Sequence, residues 1–183
     1  MENINFQRRK LITSGLVALG ASCLPSLSFA ALIKDKPREL NLNNLHTGEI
    51  LQSQYFDGKN YQSSELMKLN HICRDFRQNE MIEMDKHLFD QITAIQKIIG
   101  SKGQVQIISG YRSPITNQML NGKSSGVAKK SQHMLGKAID FRLEGVPLVD
   151  VRKAALSLKA GGVGYYPKSD FLHIDTAQFR SWG

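Results

Sequence analysis

The run "DKHLFDQITAIQKIIG" commits this chain to a layered fold. Leu88, Phe89, Ile92, Ile95 and Ile99 recur at helical spacing as one apolar stripe, and Gly100 closes the helix. Such a stripe needs a second apolar surface to cover it. Strand signals elsewhere supply one. "PRELNLNNLHTGE" alternates Leu40 and Leu42 with polar neighbours and ends at a turn near Gly48. "ILQSQYFDGKNY" reads as its hairpin partner, closed by Asp57-Gly58. "QVQIISGYRS" is a short buried strand running into a glycine turn. "GKAIDFRL" sets Ala138, Asp140 and Arg142 on one side and Ile139, Phe141 and Leu143 on the other, the period of a strand. "GGVGYYP" and "DFLHIDT" are two further short strands. Helices are expected in "SSELMKLNHICRDFR", through Phe76 with Ser63 or Ser64 as N-cap, in "PITNQMLNG" and in "PLVDVRKAALSLKA". The expected fold class is α+β, with helices packed on one side of a small, mostly antiparallel sheet. "AQFRSWG" is expected to be a tail lying on the body.

Residues 1–30 read differently. Arg8 and Arg9 precede the apolar run "LVALGASCLPSLSFA", which ends in the small-residue pattern Ser28-Phe29-Ala30. This is the layout of a secretory leader cleaved after Ala30, and the paired arginines followed by Lys10 and Leu11 resemble a twin-arginine export signal. Residues 31–183 then form a single domain outside the cytoplasm of a bacterium. A rival reading, lipidation at Cys23, lacks the large aliphatic residue usual three positions before the cysteine. Without the leader, basic residues fall from 24 to 21 and acidic ones from 16 to 15, leaving a charge of +6. That excess suits acidic partners such as wall peptides, and no membrane anchor is expected after cleavage. Nucleic acid is not expected, because no arginine-rich helix or aromatic-interleaved basic stripe accompanies the charge. With Cys23 gone, Cys73 is alone and sits at a helical core spacing, as a buried thiol would. Nothing in the residues fixes the oligomeric state.

Five histidines are present. His46, in a turn, and His71 and His87, on helices, read as surface or capping residues. His133 and His173 differ, because each lies beside a strand that carries an aspartate. A turn at Gly136 could fold His133 back over Asp140, and neighbouring strands could bring His173 to both. Two imidazoles and one carboxylate with a fourth position left to water make a catalytic zinc set. The competing reading is coincidence, since a His and an Asp seven apart are common.

The order "SGYRS", "SQHMLGKAID", "FLHIDT" resembles the M15 zinc peptidases. Their pattern Ser-x-His-x-x-Gly-x-Ala-x-Asp is matched by Ser131, His133, Gly136, Ala138 and Asp140. The likeness extends through "LNLNNLHTGE" and "AGGVGYYP" over nearly the whole chain, which closely resembles exported murein endopeptidases of the Gram-negative periplasm. It implies one zinc per chain at His133, Asp140 and His173, and cleavage of cross-links between peptidoglycan peptide stems during wall growth. It also implies that Arg112 meets the substrate or the developing oxyanion. Ser131 either bonds substrate or caps the turn. One of Tyr165 and Tyr166 lines the cleft, and Tyr165 is the one expected there; the neighbouring glycines would let an extended peptide approach. The family places a carboxylate three residues before the last histidine, which is Asp170. Asp175 is the rival base, because residues two apart on a strand share a face. Two alternatives carry different functions: a D-Ala carboxypeptidase of the same fold, and a non-catalytic peptidoglycan-binding module. The bond cleaved, D-Ala–diaminopimelate or diaminopimelate–diaminopimelate, stays open.

Overall fold

The computed structural model describes residues 29–124 and 126–183. The expected leader, with Arg8, Arg9 and Cys23, lies outside these residues except for Phe29 and Ala30, which begin helix α1 (Phe29–Ile33). Seven strands follow: β1 (Arg38–Asn44), β2 (Ile50–Phe56), β3 (Val105–Ser109), β4 (Ala138–Leu143), β5 (Gly162–Tyr166), β6 (Phe171–Asp175) and β7 (Arg180–Trp182). They form one sheet in the order β2-β1-β3-β4-β6-β5-β7. The β1–β3 and β5–β7 pairs are parallel and the other neighbours antiparallel, so the sheet is mostly antiparallel as expected. Helices α2 (Ser63–Ile72), α3 (Lys86–Ile99), α4 (Pro114–Lys123) and α5 (Leu148–Leu158) complete the α+β fold. Among the described residues no helix is long and apolar enough to cross a membrane.

Helix α3 is the anchor. Asp85 caps its start by accepting from the His87 N–H, and Gly100 ends it in a left-handed conformation. Its stripe packs with α5 over one face of the sheet. Leu40, Leu42, Ile107, Ile139, Phe141, Leu172 and Ile174 meet Leu88, Phe89, Ile92 and Ile95 there, all fully buried or nearly so. Each such side chain contributes about 1.5–3 kcal/mol. Because side chains alternate along a strand, burying Ile139 and Phe141 turns Ala138 and Asp140 to the opposite face. The pairing of Asp140 with His173 and of Ala138 with Asp175 then sets a row of polar groups side by side on that face.

Three local expectations change. Helix α2 starts at Ser63 with Gln62 as its cap and stops at Ile72. Phe76 therefore leaves the helix and stacks on His46, with ring centroids 4.4 Å apart. The C-terminal "AQFRSWG" does more than lie on the body as a tail, because Arg180–Trp182 pairs in parallel with β5 as a strand of the sheet. Cys73 is buried as expected, and burial pushes its thiol pKa up to about 12.

Candidate metal centre

A single turn of 3-10 helix, Gln132–Leu135, carries His133. The Ser131 hydroxyl caps it by accepting from the His133 backbone N–H, and Gly136 ends it at φ 65. A Cβ on Gly136 would lie 2.6 Å from the Glu83 carbonyl oxygen, so glycine is required there for both reasons. The chain then enters β4 and presents Asp140, while β6 presents His173 beside it. His133 and Asp140 are buried and His173 nearly so.

Three atoms converge. His133 Nε2 lies 3.1 Å from Asp140 Oδ1, His173 Nδ1 lies 2.8 Å from the same oxygen, and the two nitrogens are 3.2 Å apart. The far nitrogens fix what these atoms are. His133 Nδ1 sits 2.7 Å from the Gly110 carbonyl oxygen, which only accepts, so Nδ1 carries the proton. His173 Nε2 sits 3.2 Å from the Asp175 carboxylate, which likewise only accepts when ionised. In the neutral rings both inward nitrogens are therefore bare. Two lone pairs and a carboxylate oxygen facing one another repel. Arg112 Nη2, 3.2 Å from His133 Nε2, and a proton on His173 offset this in the metal-free protein, and a cation at the centre of the three would offset it directly. Ligand bonds of about 2.0–2.1 Å at tetrahedral angles set donor atoms roughly 3.3 Å apart, close to the triangle here. The residues fit a metal ion: the three form a group that could hold one, with every donor within 4.8 Å of the others.

Charge supports the same arrangement. Burial works against an ionised Asp140, but the two histidines outweigh it and hold the carboxyl well below the usual range. Burial also opposes a charged His173, yet Asp140 and then Asp175 prevail and push it up to about 9. His133, fully enclosed, is pushed down by burial despite Asp140. Without a metal, a proton on His173 supplies a positive charge to this cluster.

Arg112 follows β3. Its Nε donates to the Ser109 hydroxyl at 2.8 Å, and one terminal nitrogen pairs with the second oxygen of Asp140. It lines a cavity of about 420 Å³ that opens over the triangle, with Ser131 and Lys130 on the same wall. Arg112 and Ser131 thus stand at the cavity, and Ser131 also serves as the cap.

Tyr165 does not stand there. Gly164 pairs with His173 and Tyr165 with Leu172, so Tyr165 shares the helix-covered face with Leu172. It packs against the core, with the Arg152 guanidinium 4.7 Å from its ring centre. Tyr166 takes the cavity position instead, stacked on Phe171 at 4.5 Å and accepting from Trp182 Nε1 at 2.9 Å. Asp170, in the turn before β6, pairs with Arg142 at 2.7 Å, mostly exposed, and bonds none of the three ligands. Asp175 does share the face of His173, as strand alternation requires, but it contacts Nε2, the nitrogen turned away from the triangle. Its oxygens also accept from the Gly162 and Ala177 N–H groups and from Arg180. Burial opposes its charge, and His173, Arg180 and these amides together hold the carboxyl well below its ordinary value. Asp175 orients the His173 ring and is not free to take a proton from the open side. Arg180 and Trp182 line the cavity from a segment read as a tail. The sole tryptophan, and the spacing that Arg180 and Trp182 share with Gly162 and Gly164, were the signals available in the sequence.

A family model described as "Peptidoglycan L,D-endopeptidase MepK", of the Peptidase_M15_2 type, matches residues 33–182. Proteins named peptidoglycan L,D-endopeptidase MepK from Escherichia coli K12 and Shigella flexneri are 53% identical over 182 residues, covering all of both chains. A probable member from Haemophilus influenzae is 43% identical over 183 residues, covering all of this chain and 98% of its own. No solved structure matches. The chain belongs to the M15-type peptidase family of the peptidoglycan L,D-endopeptidases MepK.

Proposed function

We propose that this protein is a zinc-dependent endopeptidase that hydrolyses L,D peptide cross-links between peptidoglycan stems. The observation that carries the reading is the triangle of His133 Nε2, Asp140 Oδ1 and His173 Nδ1, whose three atoms all lack a proton to share in the neutral rings. The names of the relatives supply the bond. His133, Asp140 and His173 would hold a zinc ion there, which would supply Lewis-acid chemistry and activation of water.

The chain's own residues do the rest. Arg112, fixed by Ser109 and Asp140, presents a placed cation to the scissile carbonyl oxygen. Arg112, Lys130 and Arg180 make the cavity wall basic, which favours acidic stem peptides. Tyr166, Phe171 and Trp182 form an aromatic wall against which a stem can lie. Asp170 is the proton acceptor. It is flanked by the cavity residues Ser169 and Phe171, and only an exposed pair with Arg142 holds it away. Such pairs are worth about 0–1 kcal/mol, so substrate entry releases the carboxylate at little cost. Asp175 stays bound behind His173. A twin-arginine leader over residues 1–30 exports the protein to a Gram-negative periplasm, where zinc needs no redox control and the wall lies within reach.

The test is digestion of a defined L,D-cross-linked stem dimer, with and without a chelator, followed by product mass. Two monomers that disappear on chelation are expected. Loss of a terminal D-Ala alone would make the protein a carboxypeptidase. Binding to sacculi without any released fragment would make it a wall-binding module.

A further inference from the structure

We infer that the short strand β7 is a working part of the metal centre, with Arg180 as a positioning residue that fixes His173 through Asp175. This rests on the reading of the triangle as a metal site.

Strand β7 has three residues, at one edge of the sheet, and Arg180 and Ser181 are exposed. It adds nothing to the buried core. What it adds is two side chains laid across β5. The register pairs Gly162 with Arg180 and Gly164 with Trp182. Neither glycine has a positive φ, so neither is needed for its backbone. Both are needed for space. A Cβ on Gly162 would lie 2.5 Å from Asp175 Oδ2 and 2.6 Å from Arg180 Nη1. A Cβ on Gly164 would lie 2.6 Å from the Trp182 indole. The glycines of "GGVG" therefore do not leave a bare strip for substrate. Their slots are filled from within the chain.

Through the first slot Arg180 reaches a carboxylate with no exposure of its own. It grips both oxygens, Nη2 to Oδ2 at 2.5 Å and Nη1 to Oδ1 at 3.1 Å. A planar fork on a carboxylate fixes its plane as well as its charge. The same Oδ2 meets His173 Nε2. Through the second slot Trp182 lies with its ring 5.3 Å from that of His173, tied down by Tyr166. The imidazole is thus held at Nε2 by Asp175, itself gripped by Arg180, and flanked by the tilted ring of Trp182. An ordinary surface ion pair has both partners wet. Here the acid is buried and stands between the arginine and a metal ligand, so the pair sets the aim of His173 Nδ1.

The test is zinc affinity of the full-length, metal-stripped protein, by competition with a chromophoric chelator. Fluorescence of Trp182, the sole tryptophan, gives a second readout beside the site. Arg180→Ala is expected to weaken zinc binding about tenfold or more, the range for losing an outer partner of a ligand. Arg180→Lys, which keeps the charge and loses the fork, should recover part of it. Gly162→Ala, which crowds the slot and leaves Arg180 in the sequence, should weaken binding in the same direction. These two variants carry the test should Arg180→Ala fail to fold. Zinc affinity within twofold of wild type in Arg180→Ala, or in both others, overturns the inference, even with a lowered melting temperature. Wild-type protein that takes up no zinc would sink the metal reading itself, and this inference with it.

Discussion

Replacing Asp175 by asparagine changes one atom and no shape, yet every neighbour of that carboxylate is a donor. Oδ1 faces the Gly162 and Ala177 N–H groups at 2.9 and 3.0 Å, and Oδ2 faces His173 Nε2 at 3.2 Å. Arg180 donates to both. An amide nitrogen must therefore oppose a donor whichever way the group turns. Placed at the Oδ1 position it orphans the buried Gly162 N–H, at about 1–3 kcal/mol, and the part-buried Ala177 N–H as well. Arg180 opposes the amide nitrogen at either position, but at the Oδ2 position the clash with His173 can be relieved, because the neutral ring can move its proton from Nε2 to Nδ1. The second arrangement wins, and its consequence is a proton aimed into the ligand triangle. Zinc must expel that proton and lose the Asp175 bond. We expect Asp175→Asn to weaken zinc binding about 10–100-fold, or about 1.4–2.7 kcal/mol. Chelator competition measures the affinity, and nitrogen NMR of the His173 ring in metal-free protein above pH 9, where the wild-type ring is neutral, reads the tautomer. An affinity within twofold of wild type, with the proton still on Nε2, would refute this account of Asp175.

Gly136→Ala forces a side chain into a left-handed turn, at about 1–2 kcal/mol, and against the Glu83 carbonyl. We expect a loss of at least roughly 2 kcal/mol in urea unfolding, since overpacking adds about 1–3 kcal/mol; a loss under about 0.5 kcal/mol would contradict the geometry. In metal-free protein the His173 pKa is raised from 6.5 to about 9. A raised pKa stabilises the fold fully below 6.5, and that contribution disappears as pH rises through 9. Metal-free protein should lose stability across that window, and zinc uptake near pH 7.5 should release a proton, read by calorimetry in two buffers; zinc uptake with no proton release would contradict it. Asp170→Asn should lower turnover by about 10²–10⁴-fold while zinc affinity stays unchanged. Unchanged turnover would remove Asp170 from the proton transfer.

Much of this architecture was legible because strand alternation is strict. The two sides of "GKAIDFRL" could be assigned from the letters, and Asp140 fell on the side away from Ile139 and Phe141. The stripe of α3 and its closing Gly100 were equally plain. Register was not legible. Alternation says that Tyr165 and Tyr166 face opposite ways, and only the pairing of Gly164 with His173 says which one sees the cavity. Alternation also put Asp175 on the face of His173, but could not say which ring nitrogen it meets, and that decides between base and orienter. The end of α2 carried no glycine or proline stop near Cys73, so Phe76 read as part of the helix. Strand β7 is too short for any period to show. Its clue lay elsewhere, in two glycines with no need of special backbone angles and two large side chains, Arg180 and Trp182, at the same spacing.

One measurement bears on the whole reading. Metal-stripped protein is given an L,D-cross-linked stem dimer, then one equivalent of zinc, and the same is done with His133→Ala. The expected result is no cleavage without zinc, restored cleavage at one zinc per wild-type chain, and neither uptake nor cleavage in His133→Ala. Undiminished cleavage by protein shown to hold no metal would contradict it.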